Sequence, residues 1–431
     1  MSTIKTFGAV DQRSLDQLKR CMEAGDAEFG VLCADHHPGY SQPIGGGIAY
    51  EGYVSPSGVG YDIGCGNKAV QTDLTRADLD TLGGVESIMG EITRRISFGM
   101  GVPAQERTDH PVLAAIREAD FAPQRRLSQL AESQLGTVGS GNHYVNLMED
   151  EDGKVWVGVH FGSRGFGHKT ASGFLALAQG LPFDGRAHEG EMDSPPVLFE
   201  IGSELGESYV AAMQLAGDYA YAGRDIVVDK VLEILGAEST HEVHNHHNFA
   251  WREEHQGRTY WVIRKGCTPA RPGQQGFVGG SMGDESVIVE GVESEENEQA
   301  LYSTVHGAGR VMSRTQAAGR SRTVRVWACT MRDCEHHADA EGLCPVHERP
   351  LKRVRKLVQL KPGVVDWPAV QARLREQGIV LVGGGADEAP EVYKRLPEVL
   401  AAHGDSIQVQ HTLRPLGVAM AGRDVHDPYK D

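Results

Sequence analysis

The eleven residues Gly58–Lys68, GVGYDIGCGNK, set four glycines around one carboxylate and one thiol. Neither a helix nor a strand tolerates glycine at that density, so the backbone must turn tightly here, with residues at positive φ. Such a turn can aim Asp62 and Cys65, three residues apart, at one centre. The same idiom recurs along the chain. Its 431 residues include 54 glycines, gathered in short loops such as PIGGG, GSGNH, GGSMG and VGGG. Loops of this kind let backbone N–H groups approach an anion closely.

Something regular must carry these loops. VWVGVH (155–160), TYWVIRKG (259–266) and SVIVEG (286–291) alternate like strands. HPVLAAIREAD (110–120) and a long stretch from Glu207 to Leu235 have helical apolar spacing. In the long stretch Tyr209, Met213, Ala216 and Ala220 share a face, Val227, Val231 and Ile234 continue it, and Gly236 supplies a C-cap. Strands and helices alternate irregularly. This predicts an α+β fold: one large mixed α/β body over residues 1–431, not a doubly wound sheet. ACTMRDCEHHADAEGLCPVH (328–347), short, polar and rich in Cys and His, reads as an insert within it.

With 40% apolar and 23% charged residues the chain can bury a large core. No segment has the apolar length of a leader's core or a membrane span, which predicts a cytoplasmic protein without a membrane partner. Seven cysteines is an odd number, and Cys21, Cys33, Cys65 and Cys267 are scattered, so reduced thiols are expected. A net charge of −17 argues against a general nucleic-acid coat. It leaves room for an enzyme that meets nucleic acid in one local basic groove.

Alone, the Asp62/Cys65 turn reads as a tight turn with a buried thiol. Three further stretches change the weighting. GSGNH ends in Asn142-His143, WVGVHFGSRG places His160 at a strand end, and HEVHNHHNFA holds His241, His244, His246 and His247. Imidazole, thiolate and carboxylate together suit a transition metal, or a pair sharing the thiolate. No G-x-x-x-x-G-K-[ST] occurs, nor the Lys-x-Asp-Gly of lysine-based nucleotidyl transfer. The one G-x-S-x-G, GGSMG at 279–283, precedes a strand-like run rather than the helix a serine-hydrolase elbow requires. STVHGAGRVMSR (303–314) sets His306 among Gly307, Ala308 and Gly309, with Arg310 and Arg314 beyond and no neighbouring carboxylate to orient the ring.

These stretches, with ADHHPGYSQPIGGGIA (34–49), GTVGSGNH (136–143), VHFGSRGFGH (159–168), RKGCT (264–268), DEAPEVYK (387–394) and PLGV (415–418), resemble the RtcB-type RNA-splicing ligases, in that family's order from residue 34 to 418. The resemblance implies two Mn2+ ions: Asp62, Cys65 and His143 on one, and Cys65, His160 and His247 on the other. It implies that His306 attacks the α-phosphate of GTP and becomes guanylated. Imidazole can do this near neutral pH without a base. Asn142, His143, Tyr144, Asn146, His247, Asn248, Gly279, Gly280, Ser281, Met282, Ser286, Gly307, Ala308 and Gly309 would contact the nucleotide. Arg164 and Arg310 would face RNA phosphates. The substrates would be RNA ends, either tRNA halves or cleaved RNA, with an accessory activator protein as a further partner. A 3′-phosphate or 2′,3′-cyclic phosphate end would be joined to a 5′-hydroxyl end. Two other readings stay open: capping or trimming of phosphate-terminated DNA or RNA ends without sealing, and an inactive end-binding paralogue.

Two places depart from the family pattern. Relatives carry an acidic residue three positions after the Asn-His pair, where this chain has Asn146; they end in Lys-Gly, where it has Ala421-Gly422, with Arg423 next. The insert is an addition. Cys329, Cys334, Cys344 and His347 run C-x4-C, nine residues, C-x2-H, which predicts a structural Zn2+ knuckle, with His336 and His337 as substitute ligands. Basic residues flank it: Arg320, Arg322 and Arg325 before, then Arg349, Lys352, Arg353, Arg355 and Lys356. They read either as solvated charge or as an RNA-guiding arm.

Overall fold

The computed structural model describes residues 2–188, 191–331, 334 and 336–422. It is a mixed α/β structure in which two sheets bring the glycine loops together. The first sheet has the order Thr3–Thr6, Phe29–His37, Ile44–Tyr50, Arg258–Lys265, Asn248–His255, parallel only at its first pair. The second runs Gln275–Val278, Ser286–Gly291, Ile407–Gly422, Tyr144–Glu149, Lys154–Phe161, Gly66–Thr75, Ser239–His246, with Val380–Gly384 added in parallel to Ile407–Gly422.

Strand periodicity decides which residues of the second sheet face the site. Side chains alternate faces along a strand. Val155, Val157, Val159 and Phe161 point into a core shared with Val145, Leu147, Val227 and Val231. The opposite face therefore carries His160, and on its neighbours Tyr144, Asn146 and Asn67. The register sets Asn67 and Tyr144 on either side of His160. One histidine thus acquires two flanking polar residues purely from alternation and register.

The helix behind this core spans Glu204–Leu235, one turn longer at its start than the apolar stripe alone predicts. Ser203 caps it by accepting from the Gly206 N–H, and Gly236, at φ 60°, closes it in the left-handed conformation. GGSMG is followed by the strand Ser286–Gly291, as its pattern required. All seven cysteines are free thiols. The Cys/His-rich insert closes a two-stranded antiparallel ribbon, Gly319–Ala328 against Lys352–Pro362, with His337–Ala338 as a short third strand. Among the described residues no helix is long and apolar enough to cross a membrane.

Candidate active site

The Asp62–Cys65 turn is held from three directions. Its own backbone closes with Cys65 N–H donating to Asp62 O at 3.0 Å, and Gly64 takes φ 69°. His247 N–H donates to Cys65 O at 2.8 Å. From the long helix the fully buried Arg224 donates to Gly64 O at 2.9 Å and Phe161 O at 2.7 Å. Asp62 can sit where it does only because residue 162 is glycine: a Cβ there would lie 2.2 Å from Asp62 Oδ1.

Cys65, His143 and His160 converge, with Cys65 Sγ 3.7 Å from His143 Nε2 and 3.8 Å from His160 Nε2. Asp62 Oδ2 lies 3.2 Å from His143 Nε2. The outer ring nitrogens are occupied elsewhere. His160 Nδ1 is 2.6 Å from Asn67 Oδ1 and His143 Nδ1 is 3.0 Å from Val138 O. The partner of His160 accepts, so its Nδ1 carries the proton and its Nε2 presents its lone pair inward, the arrangement a metal ligand needs, whereas His143 has an acceptor at each ring nitrogen, Val138 O at Nδ1 and Asp62 Oδ2 at Nε2. Arg164 Nη1 also lies 2.8 Å from His143 Nδ1. A guanidinium there would require the other tautomer; the carbonyl is the partner compatible with the inward lone pair.

Burial drives His160 and His247 well below the usual imidazole range, and lowers His143 despite Asp62 beside it. Burial would raise Asp62, but its hydrogen bond and charge interaction with His143, with Arg164 beyond, hold it well below the usual carboxylate range. Neutral imidazoles and an ionised carboxylate are ligand-ready forms. His247 stacks on His160 at 5.2 Å between ring centroids, and its Nδ1 is buried without a hydrogen-bond partner among the described residues. That orphaned nitrogen, on a ring beside His160 and His306, is open to a ligand; His247 and Asp62 stand outside the group of Cys65, His143 and His160 whose donor atoms lie within 4.8 Å of one another. The other histidines of HEVHNHHN stand apart from it. His241 pairs with Gln275, His244 with Arg224, and His246 buttresses Gly64 O at 3.0 Å.

His306 lies beside this cluster, 4.8 Å from His247 between ring centroids. It has the carboxylate that its local sequence lacks. Asp35, 271 positions earlier, places Oδ2 2.7 Å from His306 Nδ1 and accepts the His306 backbone N–H at 3.2 Å. Burial would raise Asp35, but the charge and hydrogen bonds of His306 outweigh it and hold the carboxyl low. The two glycines after His306 have different tasks. A Cβ at Gly307 would only reach ordinary contact with Gly279 O at 3.5 Å, whereas Gly309, at φ 78°, packs on Asp35, where a Cβ would meet Asp35 O at 2.2 Å.

A cavity of about 640 Å³ opens in front of His306, lined by Asn142, Tyr144, Asn146, His160, Gly279, Gly280, Ser281, Met282, Gly307, Ala308 and Gly309. Most of the residues expected at a nucleotide come together there. Asn248 and Ser286 instead hold loops, accepting from Gly266 N–H at 2.7 Å and Gly280 N–H at 3.0 Å. Arg310 lines the cavity, but its charge is matched: Nη2 donates to Asp387 O at 2.9 Å and Nη1 lies 3.4 Å from Glu388 Oε2. Arg314 pairs with the same Asp387 and Glu388. A second cavity of about 990 Å³ reaches the cluster from the other side and is lined by Asp62, His143, Arg164, His168 and Lys265. Pro38, Ile44 and Met192 border both.

Sequence reasoning passed over Asp35, Arg224 and Asn67. Asp35 and Asn67 lie inside quoted motif stretches; nothing local to Arg224 marks it.

The family described as tRNA-splicing ligase RtcB matches residues 23–342. The RNA-splicing ligase RtcB of Escherichia coli K12 is 30% identical over 413 residues, covering 89% of this chain and 88% of that protein. The tRNA-splicing ligase RtcB of Thermococcus kodakarensis is 30% identical over 395 residues, covering 73% of this chain and 79% of that one. The RNA-splicing ligase RtcB of Mycobacterium bovis is 28% identical over 463 residues, covering 89% and 94%. With a family match over most of its length and relatives aligned along nearly all of it, the chain belongs to the tRNA-splicing ligase RtcB family.

Proposed function

We propose that the chain joins RNA 3′-phosphate or 2′,3′-cyclic phosphate ends to 5′-hydroxyl ends, using GTP and passing through guanylated His306. The observation that carries this reading is the position of His306. It stands between a nucleotide-sized cavity and a buried cluster of metal donors, with Asp35 against its Nδ1. A carboxylate at Nδ1 accepts from the N–H there, keeps the proton on Nδ1 and leaves the Nε2 lone pair as nucleophile. Nε2 attacks the α-phosphorus of GTP, a P–N bond forms, the α–β P–O bond breaks, and pyrophosphate leaves. An oxygen of the RNA 3′-phosphate, set free by hydrolysis where the end is cyclic, then attacks that phosphorus and breaks the P–N bond. The 5′-hydroxyl attacks the activated 3′-phosphate, forms the phosphodiester and releases GMP. Two Mn2+ held by Asp62, Cys65, His143, His160 and His247 would supply Lewis-acid polarisation of the phosphates. Arg164, on the wall of the second cavity, would meet a phosphate of the RNA end.

The direct test is incubation with α-labelled GTP and manganese. Wild type should gain the mass of one GMP and His306→Ala should gain none. A labelled wild type that then seals no 5′-hydroxyl partner strand would favour capping over ligation, and an unlabelled wild type would remove the proposal.

The nucleotide cavity also suggests relaxed base selection. Asn146 lines it, nearly fully buried, with an Oδ1 that has no hydrogen-bond partner among the described residues. A carboxylate at this position could accept from both N1–H and the amino group of guanine; one amide oxygen is a poorer match. Ala421 ends the strand Ile407–Gly422 without a charge, and Arg423 lies outside the described residues. Losing a charged hydrogen bond costs about 1.5–3 kcal/mol. Weak preference for GTP over ATP in labelling His306 is therefore expected, with Asn146→Glu strengthening it. A strong preference unchanged by that substitution would place base recognition elsewhere.

A further inference from the structure

The ribbon formed by Gly319–Ala328 and Lys352–Pro362 ends in a lobe that the ligation chemistry does not use. Four side chains converge in it, and the ligand atoms of Cys329, Cys334, Cys344 and His347 all lie within 4.8 Å of one another. Cys334 Sγ is 3.7 Å from Cys344 Sγ. His347 Nδ1 is 3.7 Å from the sulfurs of both Cys329 and Cys344. These are the edges of a particular tetrahedron. With Zn–S near 2.3 Å and Zn–N near 2.0–2.1 Å, ligands at tetrahedral angles stand about 3.8 Å apart for two sulfurs and about 3.6 Å for sulfur and nitrogen. A disulfide requires a sulfur separation of about 2.05 Å, far shorter than the one observed, and would leave the third thiol and the imidazole unused.

The packing of the lobe points the same way. Its own buried apolar set is Cys329, Cys344 and Leu351, with Trp327, Cys334 and Ala338 partly covered. Two of the three buried members are thus the thiols themselves. Leu343 and Val346, on either side of Cys344, are 64% and 68% exposed and add nothing to the core. A lobe with so little apolar burial needs another source of stability, and in small domains that is commonly a metal or a disulfide. The backbone is shaped around the ligands. Cys344 N–H donates to Arg349 O at 2.8 Å, Glu348 N–H to Cys344 O at 2.8 Å, and Leu351 N–H to Gly342 O at 2.9 Å. These bonds form the tight C-x2-H turn that lets Cys344 and His347 face one point.

We propose that Cys329, Cys334, Cys344 and His347 hold one structural zinc ion. Three thiolates and one imidazole fill all four positions, so no site is left for water or substrate and the ion acts as a cross-link. His347 is the nitrogen ligand, with His336 and His337 outside the set.

The test uses the full-length chain carrying Cys65→Ala, so that the candidate active-site cluster does not confuse the metal count. Elemental analysis after purification should give one zinc per chain, and Cys329→Ser with Cys344→Ser added should give none. Cobalt exchanged into the Cys65→Ala chain should show the intense visible absorption of a four-coordinate, sulfur-rich site. Zinc-edge X-ray absorption on the same protein should find three sulfurs near 2.3 Å and one nitrogen near 2.0–2.1 Å. The last two measurements need no substitution in the lobe, so they decide the matter even if the serine variant does not fold. A Cys65→Ala chain that takes up no zinc when it is supplied, or a zinc shell with fewer than three sulfurs, overturns the proposal. Neither result bears on guanylation of His306.

Discussion

Cys65→Ala is expected to abolish both guanylation of His306 and strand joining while leaving the protein folded. The joint loss follows from position. Cys65 Sγ lies within 3.8 Å of both His143 Nε2 and His160 Nε2, so it is the natural donor shared by the two halves of the proposed metal pair. Asp62 and His143 on one side and His160 and His247 on the other cannot compensate, because no other sulfur joins this cluster among the described residues. The fold should survive. The substitution removes one buried sulfur from a turn whose backbone is fixed independently by Arg224 and His247. Cys21→Ala, an equivalent deletion of a buried thiol away from the site, controls for packing loss. Its thermal midpoint should fall about as far as that of Cys65→Ala, with labelling retained. Guanylation that persists in Cys65→Ala while joining alone disappears would break the shared-donor assignment. The metal itself is checked by reconstitution: a stripped enzyme restored by zinc and not by manganese would contradict the two-manganese reading.

Much of this site was legible because glycine loops and strand periodicity are local signals. The density of glycine around Asp62 and Cys65 required a tight turn, and a turn that tight brings its side chains together. His160 at the end of an alternating strand had one face available, and alternation chose the site face. Asp35 was not legible in the same way. It reaches His306 because the strand Phe29–His37 packs close to Ser303–Val305 of another sheet, and no spacing encodes a partner 271 residues away. Arg224 was hidden for another reason. An arginine among the apolar residues of a long helix reads as a break in the stripe, yet here it is fully buried because it satisfies two backbone carbonyls of the site. Arg310 and Arg314 carry partners that their local sequence does not show. Next to a Gly-rich histidine loop, arginine suggests phosphate, and only the tertiary structure shows Asp387 and Glu388 already paired with them. The helix start moved from Glu207 to Glu204 because the cap at Ser203 precedes the apolar stripe.

Asp35→Asn should slow guanylation of His306 by about 10⁴-fold, the size of loss seen when the carboxylate that orients a catalytic histidine becomes an amide. Asp35 packs against His306 through its side chain and accepts the His306 backbone N–H. It is a positioning residue that acts through the imidazole. Its side chain is completely buried, with Oδ2 against His306 Nδ1 at 2.7 Å and Oδ1 without a hydrogen-bond partner among the described residues. A carboxylate can only accept there, so it enforces the proton on Nδ1 and the lone pair on Nε2. An amide can present NH2 to the same nitrogen, which favours the reverse tautomer and removes the nucleophile. The substitution is nearly isosteric and removes a buried charge, so the fold should persist and GTP should still enter the cavity. The expected signature is a large fall in kcat with KM for GTP changed little, and equal slowing of GMP transfer onward to RNA, because one ring performs both steps. The pairing also sets an acid limit. Asp35 titrates below its unfolded value of about 3.9, so its contribution to stability is present above about pH 4 and is lost as the pH falls through the lower folded value. Acid unfolding of Asp35→Asn should lack that component. A variant that guanylates within tenfold of wild type would mean that something other than Asp35 sets the His306 tautomer. A loss confined to KM would mean that Asp35 shapes the nucleotide cavity instead of the nucleophile.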